Sequence, residues 1–445
     1  MELKRHVKPH IFSFCDYMGR KSYFIFACGV LTLALGTRWI QMSLVELTND
    51  VGYVAPWPVY LGAKALFGSL ERAISDSMPP GALVLRTATA YVLSASLTAV
   101  VELQVADALA LRGGCATLNE VSADVGVSRA SALGKTLTLL QQFGIFERGS
   151  DMEGRGRTWC LNSSARLLVS SHPHSLRDAV LFLGGPEHTS VTLMLSQSLL
   201  SGGVPSGFAA MHGGASLWEH LGKNSDRAIL FDGAMRAVEE TERSAILADG
   251  GLEMFDIVVD LGGGHGGLMA ALLDENPHLS GVIVDRAPVI NAAHARWATN
   301  PVLVQHLKTG RISFEIGDVF PTESHLNLGL ASMVPGQRVA IVLKHIIHDW
   351  NTVDSLTILG NVAKAMPANA SLILIERILD EDTTFVGDHG SFISSQLMFA
   401  MFGAEERSLA ELDILLSQVG FDIYDTRPTR SAVSVVHAHG CSPAS

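Results

Sequence analysis

Five glycines fall in the six positions Gly262-Gly263-Gly264-His265-Gly266-Gly267, directly after the apolar run Ile257-Val258-Val259-Asp260-Leu261. Glycine has no Cβ, so backbone there can approach a ligand closely and accept positive φ angles. A strand, a glycine turn and a helix start, here 268 to 273, form a nucleotide-type ligand site. The loop carries no Lys or Arg to meet a pyrophosphate. An uncharged, glycine-only cradle of Gly262, Gly263 and Gly264, entered from Asp260, therefore suits a cationic or zwitterionic ligand better than a polyphosphate. Asp285 follows about twenty residues later, where an acid accepts hydrogen bonds from ribose hydroxyls. Further polar residues close other apolar runs: Asp318, Lys344 and Glu376.

These side chains need a common edge. Strand-like runs at 257–261, 281–285, 311–316, 338–344 and 371–376 alternate with helical patterns, for instance 352–365. Such alternation predicts an α/β fold with a parallel sheet covered by helices on both faces. Ligands on these sheets bind beyond the carboxyl ends of the strands, which is where the polar residues fall.

The second chemical segment is Leu343-Lys344-His345-Ile346-Ile347-His348-Asp349-Trp350. With it the chain resembles the class I S-adenosylmethionine-dependent O-methyltransferases of the caffeate and acetylserotonin type. The likeness covers about residues 80 to 437 and rests on motifs in order: Leu217-Trp218-Glu219-His220, Phe231-Asp232-Gly233-Ala234-Met235, the glycine loop, Val284-Asp285-Arg286-Ala287-Pro288, Gly317-Asp318-Val319-Phe320, the His-Asp-Trp segment, Ile375-Glu376-Arg377 and Gly403-Ala404-Glu405-Glu406-Arg407-Ser408. The resemblance implies a Rossmann-like methyltransferase sheet, S-adenosyl-L-methionine as cofactor, and a small hydroxylated aromatic or polyketide-like acceptor. It implies His348 as general base, flanked by Glu376 and Glu406. Asp285 matches the ribose acid, Asp318 with Val319 the adenine contact, and Lys344 and Trp350 residues beside adenine and ribose. Chemistry asks for the same parts: a hydroxyl attacks poorly until a positioned base takes its proton, and imidazole titrates near neutrality. His345 is the competing base, although side chains alternate along a strand, so if it ends one it need not face the ligand. Ala404 and Glu405 depart from the family pattern, which leaves the seating of the loop that presents Glu406 open. Phe231, Met235, Met398 and Phe402 are the acceptor-lining candidates, against the plainer reading that Met and Phe at helical spacing form core.

Upstream, residues 117–129 and the run through Leu140 read as a helix-turn-helix, with 143–148 and 158–161 as wing strands. A DNA-binding role is disfavoured, because the second helix offers only Arg129 and Lys135 and the chain carries −12. The resemblance instead implies a winged-helix dimerisation domain and a homodimer, with no nucleic-acid partner. The expected organisation is an extension at 1–78, the dimerisation domain at 79–170, a helical connector at 171–250 contributing to the acceptor pocket, and the cofactor-binding domain at 251–439.

Within the extension, basic residues precede an uncharged apolar run at 22–37, sixteen residues and short of the roughly 20 that span a bilayer. A membrane-associated segment there competes with a helix packed on the dimer, or with a later start at Met42 or Met78. Cys15, Cys28, Cys115, Cys160 and Cys441 are scattered, odd in number and without metal-type spacing, which favours a reducing, cytoplasmic setting and no metal site. The rival functions are carbon or nitrogen methylation on the same fold, and a non-catalytic cofactor-binding regulator.

Overall fold

The computed structural model describes residues 54–149, 157–320, 326–331, 333–380 and 389–440. The expectation of a membrane-associated run at 22–37 lies outside them. Residues from Val54 onward form one compact unit.

The N-terminal part is helical around a small sheet. Strands β1 (Cys115–Thr117), β2 (Glu147–Arg148) and β3 (Thr158–Cys160) pair in the order β1-β3-β2. The helices Leu118–Asp124 and Ala130–Gln142 form the expected helix-turn-helix. Thr117 and Glu120 start the first with a reciprocal capping box, which satisfies two otherwise orphaned backbone donors. Beyond the wing strands read from sequence, β1 is an addition. Its antiparallel register sets Cys115 opposite Cys160 with Cα atoms 4.2 Å apart, and the two form a disulfide. The scattered-cysteine reading is thereby corrected: 45 residues separate the pair, and only strand register brings them together. The cysteine argument for a reducing compartment falls with it.

The C-terminal part holds a seven-stranded sheet. Its strands are β4 (Ile257–Leu261), β5 (Ser280–Asp285), β6 (Ile312–Ile316), β7 (Val339–Lys344) and β8 (Ser371–Glu376), then, after β9 (Ile378–Leu379) and β10 (Arg407–Ser408), β11 (Phe421–Pro428) and β12 (Ser434–Gly440). The order is β11-β12-β8-β7-β4-β5-β6, with β4 to β8 parallel and the last two strands antiparallel. Side chains alternate across the sheet. Val259, Leu261, Ile341, Leu343, Leu372 and Leu374 pack on Ile358, Leu359, Leu412 and Leu415 on one face. Val258, Ile283, Val342, Ile373 and Ile375 pack on Leu268, Leu272, Trp297 and Ile246 on the other. Burial on both faces is why these strands read as continuous apolar runs.

The chain runs outward from β4 through β5 to β6, then returns to place β7 on the opposite side of β4. That reversal is a topological switch point, and a crevice opens there beyond the strand ends. The glycine loop leaves β4 and the His-Asp-Trp segment leaves β7, so both border that crevice.

Candidate active site

The glycine loop is shaped by tight packing beneath it. A Cβ on Gly263 would lie 2.8 Å from the Asp260 carboxyl and 2.9 Å from the Asp260 carbonyl. Gly262 has φ +77°, in the left-handed region, and its Cβ would meet Ile346. Gly264 donates its backbone N–H to Asp285 Oδ2 at 3.0 Å, and Arg286 donates its own to Oδ1 at 2.7 Å. Asp285 thus ties the loop to the end of β5 and retains acceptor capacity on both oxygens. Burial pushes its carboxyl pKa up, opposed by those two backbone donors. Asp260 is buried below the loop, and burial raises its pKa to about 7. It supports the cradle from underneath.

Asp318 is exposed at the rim and caps its own turn through Phe320 N–H at 2.9 Å. The Val319 carbonyl accepts from Asn361 at 2.9 Å, and Phe320 meets Trp350 edge-on at 4.7 Å. Val319, Phe320 and Trp350 thus form an apolar patch with the exposed Asp318, and these with Asp285 are the residues that could hold a nucleoside. Lys344 points elsewhere: its ammonium is 3.3 Å from the buried carboxylate of Glu242.

His348 sits on the short 3-10 turn Ile347–Asp349 that follows β7. Its Nδ1 lies 3.0 Å from Glu406 Oε1 and 3.1 Å from Oε2. Glu376 flanks the ring and also holds backbone. Its Oε1 accepts the backbone N–H groups of Ile346 at 3.1 Å and Ile347 at 2.9 Å, and its Oε2 stands 3.7 Å from His348 Nδ1. Glu376 holds the turn, while Glu406 holds the ring. Glu406 arrives because β9 and β10 pair in parallel, matching Arg407 with Ile378. That pairing sets residue 406 beside residue 376 despite Ala404 and Glu405.

The electrostatics follow from burial among acids. Burial disfavours a charged His348, but Glu376, Asp349 and Glu406 outweigh it and raise the imidazole to about 10. Burial raises Glu376 to about 7 and Asp349 to about 6, with the His348 charge opposing both. Burial also penalises Glu406, yet its hydrogen bond from His348 leaves it below the ordinary range. One buried cation is shared among three acids. His345, His348 and Glu376 offer ligand atoms within 4.8 Å of one another, the spacing of a metal cluster. A dication there would have to displace the proton His348 holds and face Arg407 and Lys344, so the donor set is better suited to proton chemistry.

On the acceptor side, Trp218 stacks on Phe402 at 6.0 Å and meets Phe231 edge-on at 5.6 Å. Phe231 and Phe402 therefore share one aromatic cluster around Trp218. Met235 is 38% exposed on the Ser225–Asp249 helix, and Met398 is half-buried on the His389–Phe402 helix. Neither joins the ring contacts of that cluster.

A family model described as an O-methyltransferase domain matches residues 194–422, just over half of the chain. A second, the O-methyltransferase dimerisation domain, matches residues 85–171. The chain belongs to the O-methyltransferase family. This methyltransferase is 26% identical over 371 residues to a phenazine O-methyltransferase of Lysobacter antibioticus, covering 83% of this chain and 98% of that protein. It is 29% identical over 283 residues to an 8-amino-8-demethylriboflavin N,N-dimethyltransferase of Streptomyces davaonensis, covering 62% of this chain and 73% of that one. Among solved structures it resembles the calicheamicin-biosynthesis methyltransferase CalO1 in its SAH-bound form, at 28% identity and a TM-score of 0.66, covering 82% of this chain and all of the other.

The methyltransferase also uses residues that sequence reasoning passed over. Ser394 donates to Glu406 Oε1 at 2.6 Å. Arg407 clamps the turn under His348, donating to the carbonyls of Ile347 at 2.8 Å and Trp350 at 2.7 Å. Trp218 sat in a motif without a role. Arg407 had a signal, being the residue after Glu406; Ser394 and Glu242 had none.

Proposed function

We propose that this enzyme methylates a hydroxyl of a flat aromatic or polyketide-like small molecule, with His348 as general base. S-adenosyl-L-methionine is the methyl donor, and when bound it supplies an electrophilic methyl on a sulfonium. The observation that carries the reading is the His348–Glu406 pair at 3.0 Å beside the crevice of the glycine loop. Glu406 occupies Nδ1, so Nε2, which stands 3.5 Å from Asp349 Oδ1 without a hydrogen bond to it, is the nitrogen assigned to take the acceptor proton. With the donor bound, the acceptor oxygen would give its proton to Nε2 as it takes the methyl, the S–CH3 bond breaking and the neutral thioether S-adenosylhomocysteine leaving. Glu406 stabilises the resulting imidazolium, and Glu376 keeps the turn in place. His348 must be neutral before it can act, and a cationic ligand in an uncharged cradle favours the neutral ring. Phe231, Phe402 and Trp218 form the apolar wall against which a planar acceptor would lie, with Met235 and Met398 at its edge.

We assign 79–170 to dimerisation, 171–250 to the connector and 251–439 to cofactor binding. A homodimer explains the exposed Val84, Leu85, Tyr91 and Val92 within or beside the dimerisation match. By length and composition the Pro80–Glu102 stretch is apolar enough to cross a membrane, yet most of it lies inside that match. Subunit contact accounts for it more simply.

An amine acceptor is the second reading, raised by the N,N-dimethyltransferase relative. A weakly basic amine attacks without prior deprotonation, so it has less need of the His348–Glu406 pair. His348→Ala decides between them: turnover falls on the order of 10²- to 10⁴-fold for a hydroxyl acceptor, with donor affinity by calorimetry unchanged. Near-normal turnover with a hydroxyl acceptor would remove the base assignment.

A further inference from the structure

The mechanism leaves a second buried imidazole unused. His345 follows β7 directly, and its backbone adopts φ +52°, the left-handed region that non-glycine residues rarely occupy. Such a conformation persists where the surroundings over-determine it, and here they do. Its backbone N–H continues the ladder to the Ile375 carbonyl at 3.0 Å. Its Nε2 lies 2.8 Å from Glu242 Oε2, on the Ser225–Asp249 helix. Glu242 is 2% exposed and also meets Lys344 at 3.3 Å and Arg377 at 3.5 Å. Those partners overcome its burial and keep it ionised, well below the usual carboxylate range. An ionised Glu242 only accepts, so His345 donates from Nε2 and its Nδ1 carries the lone pair.

That fixed ring does two things. It stacks on His348, with centroids 5.0 Å apart and planes 26° from parallel. It also aims a buried, unpartnered Nδ1 toward the equally unpartnered Oε2 of Glu376, 3.9 Å away. Burial and the neighbouring Lys344 lower His345 to about 4, so the ring is neutral at physiological pH. An uncharged ring can lie against His348 without repelling the imidazolium. The groups facing it are Lys344, Glu242, His348 and Glu376, with Arg377 behind Glu242.

We propose that His345, locked by Glu242, is the positioning residue for the base: it fixes the His348 ring by stacking and ties the base turn to the helix that carries Phe231 and Met235. The inference rests on His348 being the base. Without the tie, Glu242 still meets Lys344 and Arg377, but nothing on that helix holds the ring stacked on His348.

The test separates positioning from backbone strain. His345→Gly removes the ring and relieves the left-handed backbone, whereas His345→Gln keeps a donor that reaches Glu242 and keeps the strained backbone. Positioning predicts that kcat falls about 10- to 100-fold in His345→Gly and recovers at least several-fold in His345→Gln. Donor affinity by calorimetry stays within about twofold of wild type in both, so the loss appears in kcat. Glu242→Gln, which keeps shape but removes the charge, reproduces the His345→Gly loss. The idea is overturned if His345→Gly turns over within about threefold of wild type, or if it outperforms His345→Gln. Melting temperatures identify any variant that has failed to fold; His345→Asn then replaces it under the same criteria. His348→Ala is run alongside: if it keeps normal turnover, the functional reading itself has failed, an outcome distinct from a silent His345.

Discussion

Replacing Glu406 with Gln tests the electrostatic logic of the site most directly. The change keeps shape and removes the one carboxylate within hydrogen-bond distance of His348 Nδ1, at 3.0 Å. Opposite charges about 4 Å apart attract by about 4 kcal/mol at an effective dielectric of about 20. At 1.36 kcal/mol per unit, that is about three units of imidazole pKa. In the wild type, the acids together hold His348 at about 10 against the opposing effect of burial. The variant's ring should therefore titrate lower, by up to about three units, with Glu376 and Asp349 still raising it. Loss of a carboxylate can only disfavour the imidazolium, so the direction is fixed. A pH titration of the His348 Cε1 resonance in isotopically labelled protein reads the shift without any acceptor. Turnover should also fall, on the order of 10²-fold, because a glutamine neither stabilises the imidazolium nor enforces one tautomer. Stability supplies a check on sign. A raised histidine contributes stability fully present below about pH 6.5 and lost as pH rises through its folded value, so the variant should lose less stability than wild type between those limits. An unchanged value, or a rise, would refute the assignment of Glu406 as one of the charges that hold the base.

The remaining expectations concern the cradle and the crosslink. Asp260 has its folded pKa raised from 3.8 to about 7 by burial, so folding takes up a proton and stability falls as pH climbs through that window. Asp260→Asn should flatten this dependence, recovering up to about 4 kcal/mol at pH 8 and little at pH 4, measured by denaturant melts. Equal pH slopes in variant and wild type would contradict it. Gly263→Ala must push a Cβ into the Asp260 carboxyl and carbonyl, so donor affinity should fall at least about 10-fold by calorimetry. Unchanged affinity would mean the loop is not the cradle. The Cys115–Cys160 bridge closes a 45-residue loop, for which chain entropy predicts up to about 4 kcal/mol of stabilisation. Reducing agent should lower the melting temperature of wild type and leave Cys115→Ser unaffected, and the same drop in both would deny the bridge that role.

Legibility in the sequence tracked how local the determining physics is. The stretches 371–376 and 352–365 are a strand and a helix with those same limits, since one is apolar throughout and the other amphipathic. The helix-turn-helix is readable from its helical patterns and the Val125-Gly126-Val127 turn. The antiparallel strands β11 and β12 were not named, because polar residues such as Asp422, Asp425 and His437 break the apolar pattern. The candidate base and its two acids came from motif likeness, but their division of labour did not. It depends on β9 and β10, two residues each, far below any periodic signal. The Glu242–His345 contact joins residues 103 apart and leaves no trace in either segment.

The Ser225–Asp249 helix shows why such long-range contacts matter to the chemistry. Its residues 232, 239 and 242 advance by seven and then three, which keeps them near one face. Asp232 reaches His265 of the glycine loop at 3.5 Å. Glu239 lies so close to Gly267 that a Cβ there would come within 2.6 Å of its carboxyl. Glu242 reaches Lys344 and His345 after β7. One rigid rod thus touches the loop after β4, the start of the helix behind it and the base turn, while presenting Phe231 to the aromatic wall. A sheet alone fixes strand ends to each other; it does not fix them to an acceptor. Three acids along one helix supply that connection, beside the apolar contacts through which Ala234, Ala237 and Ile246 dock it on the cores. Shifting this helix by a single turn would carry all three acids and Phe231 about 5.4 Å along their axis, beyond hydrogen-bond reach of every partner named.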